Sequence, residues 1–153
     1  MAGFPQIFLF YLKVKSGYND KNEITIAISC VEGGVGEGMR YVTGVYWCRG
    51  RSARENQDAV VLQQVLTRRG RVLMAAVCDG MGGIAAGEEA SGYAAGQLRE
   101  WFYRDLLPML RRRKRFWVIR RSLDRLVFHM QSQLKQYAAG EEIALGTTMT
   151  VVV

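Results

Sequence analysis

Two aspartates, Asp58 and Asp79, stand beside apolar runs that are typical of β-strands. Val72–Cys78 is continuously apolar, which predicts a strand buried on both faces, and Asp79 follows it directly. The glycines after Asp79 would let a ligand approach the backbone closely. A buried ionised carboxylate needs a partner of opposite charge, and a divalent cation is an effective one.

The local order of elements predicts that these two carboxylates meet. Residues 59–78 are predicted to form a β-hairpin with its turn at Arg68-Arg69-Gly70. Because hairpin strands run antiparallel, the start of the first strand lies beside the end of the second. Asp58 and Asp79 should therefore share one end of the sheet. With the backbone carbonyl of Gly80 they would form an oxygen-rich site that suits Mn²⁺ or Mg²⁺.

Other interpretations of these residues remain open. Arg51 and Arg54 lie upstream of Asp58 and could offer guanidinium groups to a phosphate. Asp58 and Asp79 could instead simply cap turns. Gly80–Ala85 also fits the G-x-G-x-x-A pattern of a dinucleotide-binding loop. A carboxylate beside the pyrophosphate and the lack of a following parallel strand argue against that loop.

Size and composition indicate a single globular domain. The chain has 153 residues, of which 49% are hydrophobic, and this excludes a disordered chain. Its three cysteines and the lack of a signal peptide predict reduced thiols and a cytoplasmic protein. Cys78, within the apolar run, is interpreted as a small buried hydrophobe. Phe4–Leu12 is too short to cross a membrane and is interpreted as a strand, so no membrane partner is expected.

Periodicity predicts the remaining elements. Further strands are predicted at Ile24–Val31, Tyr41–Cys48 and Gly146–Val153, and residues 32–38 as a turn or linker. Helices are predicted at Gly87–Leu107, ended or kinked by Pro108, and at Phe116–Tyr137, with Gly140 as C-cap. The second helix has one apolar stripe, made of Phe116, Ile119, Leu123, Leu126, Met130, Leu134 and Tyr137.

The net charge of +7 comes from one segment. Residues 99–125 hold ten basic and three acidic side chains, whereas the remaining residues hold eleven of each sign. The run Arg111–Arg115 is interpreted as a solvated connection between helices; the alternative is a patch for nucleic acid or an acidic partner. Nucleic acid is not the expected partner, because the periodicity assigns Phe116 to the core and nothing in the segment looks like a base-reading motif. His129, the only histidine, is interpreted as a surface or satisfied residue, and neither a zinc site nor a Ser–His triad is expected.

Four motifs follow one another in a distinctive order. They are Glu55-Asn56-Gln57-Asp58-Ala59, Val77-Cys78-Asp79-Gly80-Met81-Gly82-Gly83, Gly87-Glu88-Glu89-Ala90-Ser91 and Gly146-Thr147-Thr148. They resemble the motifs of the metal-dependent serine/threonine protein phosphatases of the PP2C type. The resemblance covers roughly residues 41–153, and it is closest to the bacterial branch because Met follows the Asp-Gly pair.

This resemblance implies an α+β fold, in part an α-β-β-α sandwich with two antiparallel sheets inside. It also implies two Mn²⁺ or Mg²⁺ ions and an activated water that attacks a phosphoserine or phosphothreonine of a protein substrate. Asp79 would bridge both ions and Gly80 would offer its carbonyl. Asp58 would bind an ion or orient its water, which makes Asp58 and Asp79 the implied catalytic residues.

The sequence also departs from the family pattern. The phosphate-binding arginine of the family would fall at Ala53, so that Arg54 and Arg51 are only neighbouring candidates. Two further metal-binding aspartates of the family would lie downstream of Gly146-Thr147-Thr148, past the last residue of this sequence. We therefore expect a phosphatase domain truncated before its C-terminal strands, weakly active or inactive. The alternative is a catalytically inactive PP2C-like module that binds a partner through the basic segment 99–125.

The resemblance also suggests how the chain is organised. Residues 1–38 are interpreted as an N-terminal extension and residues 39–153 as a partial phosphatase domain, with Met39 as an alternative start. A last strand at Gly146–Val153 with an open edge predicts self-association.

Overall fold

The computed structural model describes residues 7–16, 22–31, 40–48, 56–82 and 86–153. The chain divides into two compact units, one of residues 1–56, 64–75 and 153 and the other of residues 57–63 and 76–152. The described elements, in chain order, are β1 (Ile7–Ser16), β2 (Asn22–Val31), β3 (Arg40–Cys48), β4 (Asp58–Thr67), β5 (Gly70–Gly82), α1 (Ala86–Trp101), a π-helical turn (Phe102–Leu106), α2 (Leu107–Arg111), α3 (Phe116–Glu141) and β6 (Leu145–Val152). The protein is therefore a mixed α and β chain, as the α+β class predicts.

The first unit contains an antiparallel sheet in the order β1-β2-β3. In this sheet Ile7 pairs with Val31, and Val31 also pairs with Arg40 on the other side. Ile26 and Ile28 are buried, and their spacing of two places both side chains on one face. The strands predicted at Ile24–Val31 and Tyr41–Cys48 are confirmed, and so is the predicted strand Phe4–Leu12 from Ile7 onwards, since residues 4–6 lie outside the described ones. The predicted linker at 32–38 lies outside the described residues.

A second sheet has the order β4-β5-β6. Arg68 and Arg69 join β4 to β5, as the sequence predicts. Thr67 stabilises this turn, since its hydroxyl donates to the carbonyl of Gly70 at 2.7 Å and accepts from the amide of Arg69 at 3.1 Å. Gly70 has φ +118°, a conformation that side chains disfavour. So short a connection between hydrogen-bonded neighbours makes β4 and β5 an antiparallel hairpin.

Small residues let α1 pack closely within the second unit. Its buried positions are Ala86, Gly87, Ala90, Ser91, Ala94, Leu98 and Trp101. They recur at intervals of three and four, which places them on one helix face. The helix contacts β6 and α3. The predicted helix from Gly87 is therefore present and begins at Ala86.

The sequence predicts that Pro108 ends or kinks the helix; the helical segment does not end there but continues through a change of helix type just before it. A π-helical turn at Phe102–Leu106 precedes it, and the amide of Leu107 reaches back to the carbonyl of Phe102. Pro108 then lies at the start of α2, which continues to Arg111. Proline lacks an amide donor, and a position at the start of a new helical segment is one where that donor is not needed.

The end of α3 also differs from the prediction. Gly140 lies inside the helix, and Glu142 is the residue that adopts the left-handed conformation, with φ 54°. The amide of Ile143 donates to the carbonyl of Ala138 at 3.0 Å, which closes the last turn two residues later than expected. Helical hydrogen bonding therefore outweighs the preference of glycine for a C-cap.

The apolar stripe of α3 is buried at its centre but not at its ends. Met130 is buried, whereas Phe116 is 78% exposed, so the interpretation of Phe116 as a core residue is wrong. Helical periodicity gives the direction of a side chain but does not say whether a neighbouring element covers the first turn. His129 is exposed, as expected. None of the described helices is long and apolar enough to cross a membrane.

Candidate metal and phosphate site

Asp58 and Asp79 come together within the second unit. Asp58 is the first residue of β4, and Asp79 lies near the end of β5, which extends three residues further to Gly82. The predicted strand ended at Cys78, so Asp79 belongs to the strand rather than to its tip. The hairpin connection brings the start of β4 beside the end of β5. The predicted pairing of these two aspartates is confirmed.

The two carboxyl groups interact directly. Both side-chain oxygens of Asp58 are buried. Burial is the main cause that raises the pKa of Asp58 to about 7, and a hydrogen bond with Asp79 and the charge of Asp79 raise it further. Two carboxyl groups at hydrogen-bonding range in a partly buried place disfavour a second negative charge. A divalent cation would remove that penalty, which is the physical reason to regard the pair as metal ligands.

Gly80 lies where only a glycine fits. A methyl group on its Cα would overlap the backbone carbonyl groups of Gly87 and Gln57. A methyl group on Gly87 would in turn overlap the side-chain amide of Gln57. The end of β5, the start of α1 and the residue before β4 therefore approach each other at backbone distance. This packing explains both glycines without reference to a ligand.

Ser91 fixes α1 to the segment that precedes β4. It is 1% exposed, and its hydroxyl donates to the backbone carbonyl of Gln57 at 2.6 Å. The carbonyl of Glu88, one turn earlier in the helix, is a second acceptor at 3.2 Å. Because Gln57 directly precedes Asp58, this bond sets the position from which the Asp58 carboxyl group extends.

The Gly146-Thr147-Thr148 motif reaches the same place from β6. The hydroxyl of Thr147 donates to the backbone carbonyl of Asp79 at 3.0 Å, with the carbonyl of Thr148 as a second acceptor at 2.9 Å. A methyl group on Gly146 would lie 3.9 Å from the terminal carbon of Met81. We call the meeting place of residues 57–58, 79–81, 87–91 and 146–147 the motif junction.

Sequence reasoning missed the positioning role of Ser91 and Thr147. In the sequence, both residues stand out only as members of their motifs. A hydroxyl residue within a motif that also contains glycines is a usable signal, because such residues often bond to nearby backbone. Glu89, in the same motif as Ser91, accepts a hydrogen bond from the hydroxyl of Tyr137 at 2.7 Å.

No position can be given for the two residues that are predicted to bind phosphate. Arg51 and Arg54 lie outside the described residues, so their role stays a prediction. Among the described residues, no group of three or more His, Cys, Asp or Glu side chains could hold a metal ion. Asp58 and Asp79 form a pair rather than such a group, so the predicted Mn²⁺ or Mg²⁺ site, with the carbonyl of Gly80, stays a prediction.

The turn-capping and dinucleotide-loop interpretations do not fit the structure, whereas the interpretation of Cys78 does. Simple turn capping does not account for two carboxyl groups in contact across a hairpin. For a dinucleotide-binding loop, α1 should lead to a second parallel strand, but the chain continues through α2 and α3 before β6. Cys78 is buried, and burial raises the pKa of its thiol to about 11, which confirms a packing role.

Comparison of the chain with protein-family models, with curated proteins and with solved structures gave no match.

Proposed function

We propose that this chain carries the metal-binding half-site of a PP2C-type phosphohydrolase that acts on phosphoserine or phosphothreonine in proteins. The observation that supports this most is the motif junction. Four motifs that resemble those of the family, spread over some ninety residues of sequence, meet at one place around two carboxyl groups.

The chemistry follows from the residues at the junction. Asp58 and Asp79 would hold Mn²⁺ or Mg²⁺, with the carbonyl of Gly80 as a further oxygen ligand. A divalent ion bound there would supply Lewis-acid polarisation of water and of phosphate oxygens. Thr147 and Ser91 hold the backbone on either side of the aspartates, so that the carboxyl groups keep their relative position. Arg54 or Arg51 would bind the phosphate.

Binding of metal should be weak, and turnover slow or undetectable. Two carboxylates and one carbonyl are few ligands even for one hard divalent ion, which prefers six or more oxygens and would keep several waters. The ion would still compensate the unfavourable contact between Asp58 and Asp79. Metal binding is therefore the property to measure first, and the rate of hydrolysis is the second.

A titration with Mn²⁺, followed by electron paramagnetic resonance of the free ion, tests the site. We expect one weak site in the full chain, lost in Asp79→Asn and weakened at least tenfold in Asp58→Asn. Asp124→Asn is the matched control, because Asp124 is an exposed aspartate on α3. Any Mn²⁺-dependent hydrolysis of a phosphothreonine peptide should disappear with Asp79→Asn. Equal Mn²⁺ binding by the wild-type chain and by both junction variants would refute the proposal.

A second candidate function is binding without catalysis. The observation that favours it is that all eight basic side chains between residues 111 and 125 are exposed. The two functions are separable, because Asp79→Asn should abolish metal binding and leave partner binding unchanged.

A further inference from the structure

The outer side of α3 carries a surface that the metal site does not use. Met130 is buried on the helix side that packs towards the core, and α3 contacts α1 and β6. On the opposite side Trp117, Arg121, Arg125 and Phe128 are exposed to solvent, and the uncovered first turns of the helix add Phe116 and Arg120 from nearer the Met130 side. We define the basic–aromatic face as the exposed turn Arg111–Arg115 together with Phe116, Trp117, Arg120, Arg121, Arg125 and Phe128 of α3.

Positive charge is the first property of this face. Residues 111–125 contain eight basic side chains and one acid, Asp124, and all nine are exposed. Seven of the eight are arginines, whose planar guanidinium groups bind phosphate with two hydrogen bonds and stack on flat rings. A helix connection that only needed to be soluble would not need such a local excess. Charge complementarity therefore indicates a polyanionic partner.

Exposed aromatic rings are the second property. Phe116 is 78%, Trp117 59% and Phe128 70% exposed. Trp117 and Phe128 are eleven residues apart, so they lie within about 20° of each other around the helix and about 16 Å apart along it. Trp and Phe on a helix surface add nothing to the core, and leaving them in water is unfavourable. The assignment of Phe116 to the core was one of two sequence arguments against nucleic acid, and the exposure of Phe116 removes it; the other, the lack of a base-reading motif, does not bear on stacking that is independent of base sequence.

We propose that the basic–aromatic face binds single-stranded nucleic acid. Single strands offer both features that the face can recognise, a row of phosphates for the arginines and unpaired bases that stack on aromatic rings. An anionic membrane would instead favour a continuous apolar patch, whereas here charged Arg121 and Asp124 lie between Trp117 and Phe128. An acidic protein would form ion pairs with the arginines, but it would not account for separate aromatic rings exposed on the same face.

The face is independent of the motif junction. Its residues lie between 111 and 128, and the junction uses none of them. Nucleic-acid binding should therefore survive Asp79→Asn, and loss of metal binding in that variant would say nothing about this face. The two proposals can fail separately.

Fluorescence anisotropy with a labelled twelve-nucleotide oligouridylate tests the proposal on the full chain. Affinity should fall with salt, with a slope of log K against log [salt] near −0.7 for each phosphate contacted. Trp117→Ala and Phe128→Ala should each weaken binding by about 5- to 100-fold with little change in slope. The double variant Arg112→Gln/Lys114→Gln should reduce the slope by roughly 1.4.

Matched controls separate a specific face from general charge. Tyr46→Ala removes an aromatic ring that is 60% exposed in the first sheet, and Arg68→Gln/Arg69→Gln removes two exposed arginines of the β4–β5 turn, outside the basic segment 99–125. The Tyr46→Ala variant and this charge control should bind as the wild type does. Unchanged melting temperatures would exclude misfolding of the aromatic variants. The proposal is overturned if the aromatic variants bind normally, if double-stranded RNA of equal length binds more tightly, or if phosphatidylserine vesicles or polyglutamate outcompete the oligonucleotide.

Discussion

The motif junction and the basic–aromatic face both concentrate charge, and they do so in opposite environments. At the junction, two carboxyl groups interact at a partly buried position, and burial raises the pKa of Asp58 to about 7. On the face, eight cations project into solvent, where screening keeps the cost of their proximity small. The carboxylate pair is unfavourable in free energy unless a cation is bound. The exposed cations cost little free energy, and a large anion can contact them.

The two regions also differ in how they are held in place. The junction depends on segments distant in sequence, since Ser91 bonds to a residue 34 positions away and Thr147 to one 68 positions away. The face depends only on one continuous helix and the turn before it. Adding one methyl group or removing one hydroxyl group should therefore destabilise the junction. The fold of the face should tolerate the loss of whole side chains.

The largest effect on stability is expected from Gly80→Ala. The added methyl group would overlap two backbone carbonyl groups, which cannot rotate away as a side chain could. We expect a loss of about 1–3 kcal/mol in the free energy of unfolding, measured by urea denaturation followed by circular dichroism. Gly92→Ala is the control, because nothing lies within 4 Å of the added methyl group in α1. That variant should be unchanged or up to about 1 kcal/mol more stable.

Ser91→Ala should come next. It leaves the carbonyl of Gln57 without its hydroxyl donor in a buried place, which we expect to cost about 1–3 kcal/mol in the same assay. Mn²⁺ binding should weaken as well, because the segment that carries Asp58 loses its attachment to α1. Ser132→Ala removes an exposed hydroxyl from α3 and should change stability by less than about 0.5 kcal/mol. Equal costs for the two serines would mean that the bond to Gln57 does not hold the junction.

The stability of the metal-free chain should depend on pH through Asp58. Since its pKa is raised in the folded state, the folded chain binds this proton more tightly than the unfolded chain does. The melting temperature should therefore fall as the pH rises from about 4 to about 7 and level off above that, all else being equal. Asp58→Asn should flatten this part of the profile, whereas Asp124→Asn should not. An unchanged slope in Asp58→Asn would show that the folded structure does not raise the pKa of Asp58.

The smallest effect on stability is expected from the largest side chain. Trp117→Ala removes an exposed indole from α3, and we expect the free energy of unfolding to change by less than about 0.5 kcal/mol. Phe128→Ala should behave in the same way. A loss of several kcal/mol in either variant would show that these rings are packed, and the contrast between the two regions would disappear.

Much of the fold could be predicted because its signals are local. The hairpin followed from a turn between two strand-forming runs, and it alone places Asp58 beside Asp79. The errors came where a neighbour outside the local window decides the outcome. The helix continues past Pro108 after a π-helical turn, Gly140 lies within a helix that continues to Glu141, and no element of the described chain covers Phe116.

For the candidate site, residue types and spacing were enough to identify the two aspartates, the glycines beside them and the basic character of residues 99–125. Tertiary structure alone decided that Ser91 and Thr147 hold the junction and that the rings of Phe116, Trp117 and Phe128 face solvent. The reason is physical: a strand or helix period fixes which way a side chain points, and only packing between distant segments fixes what it meets there.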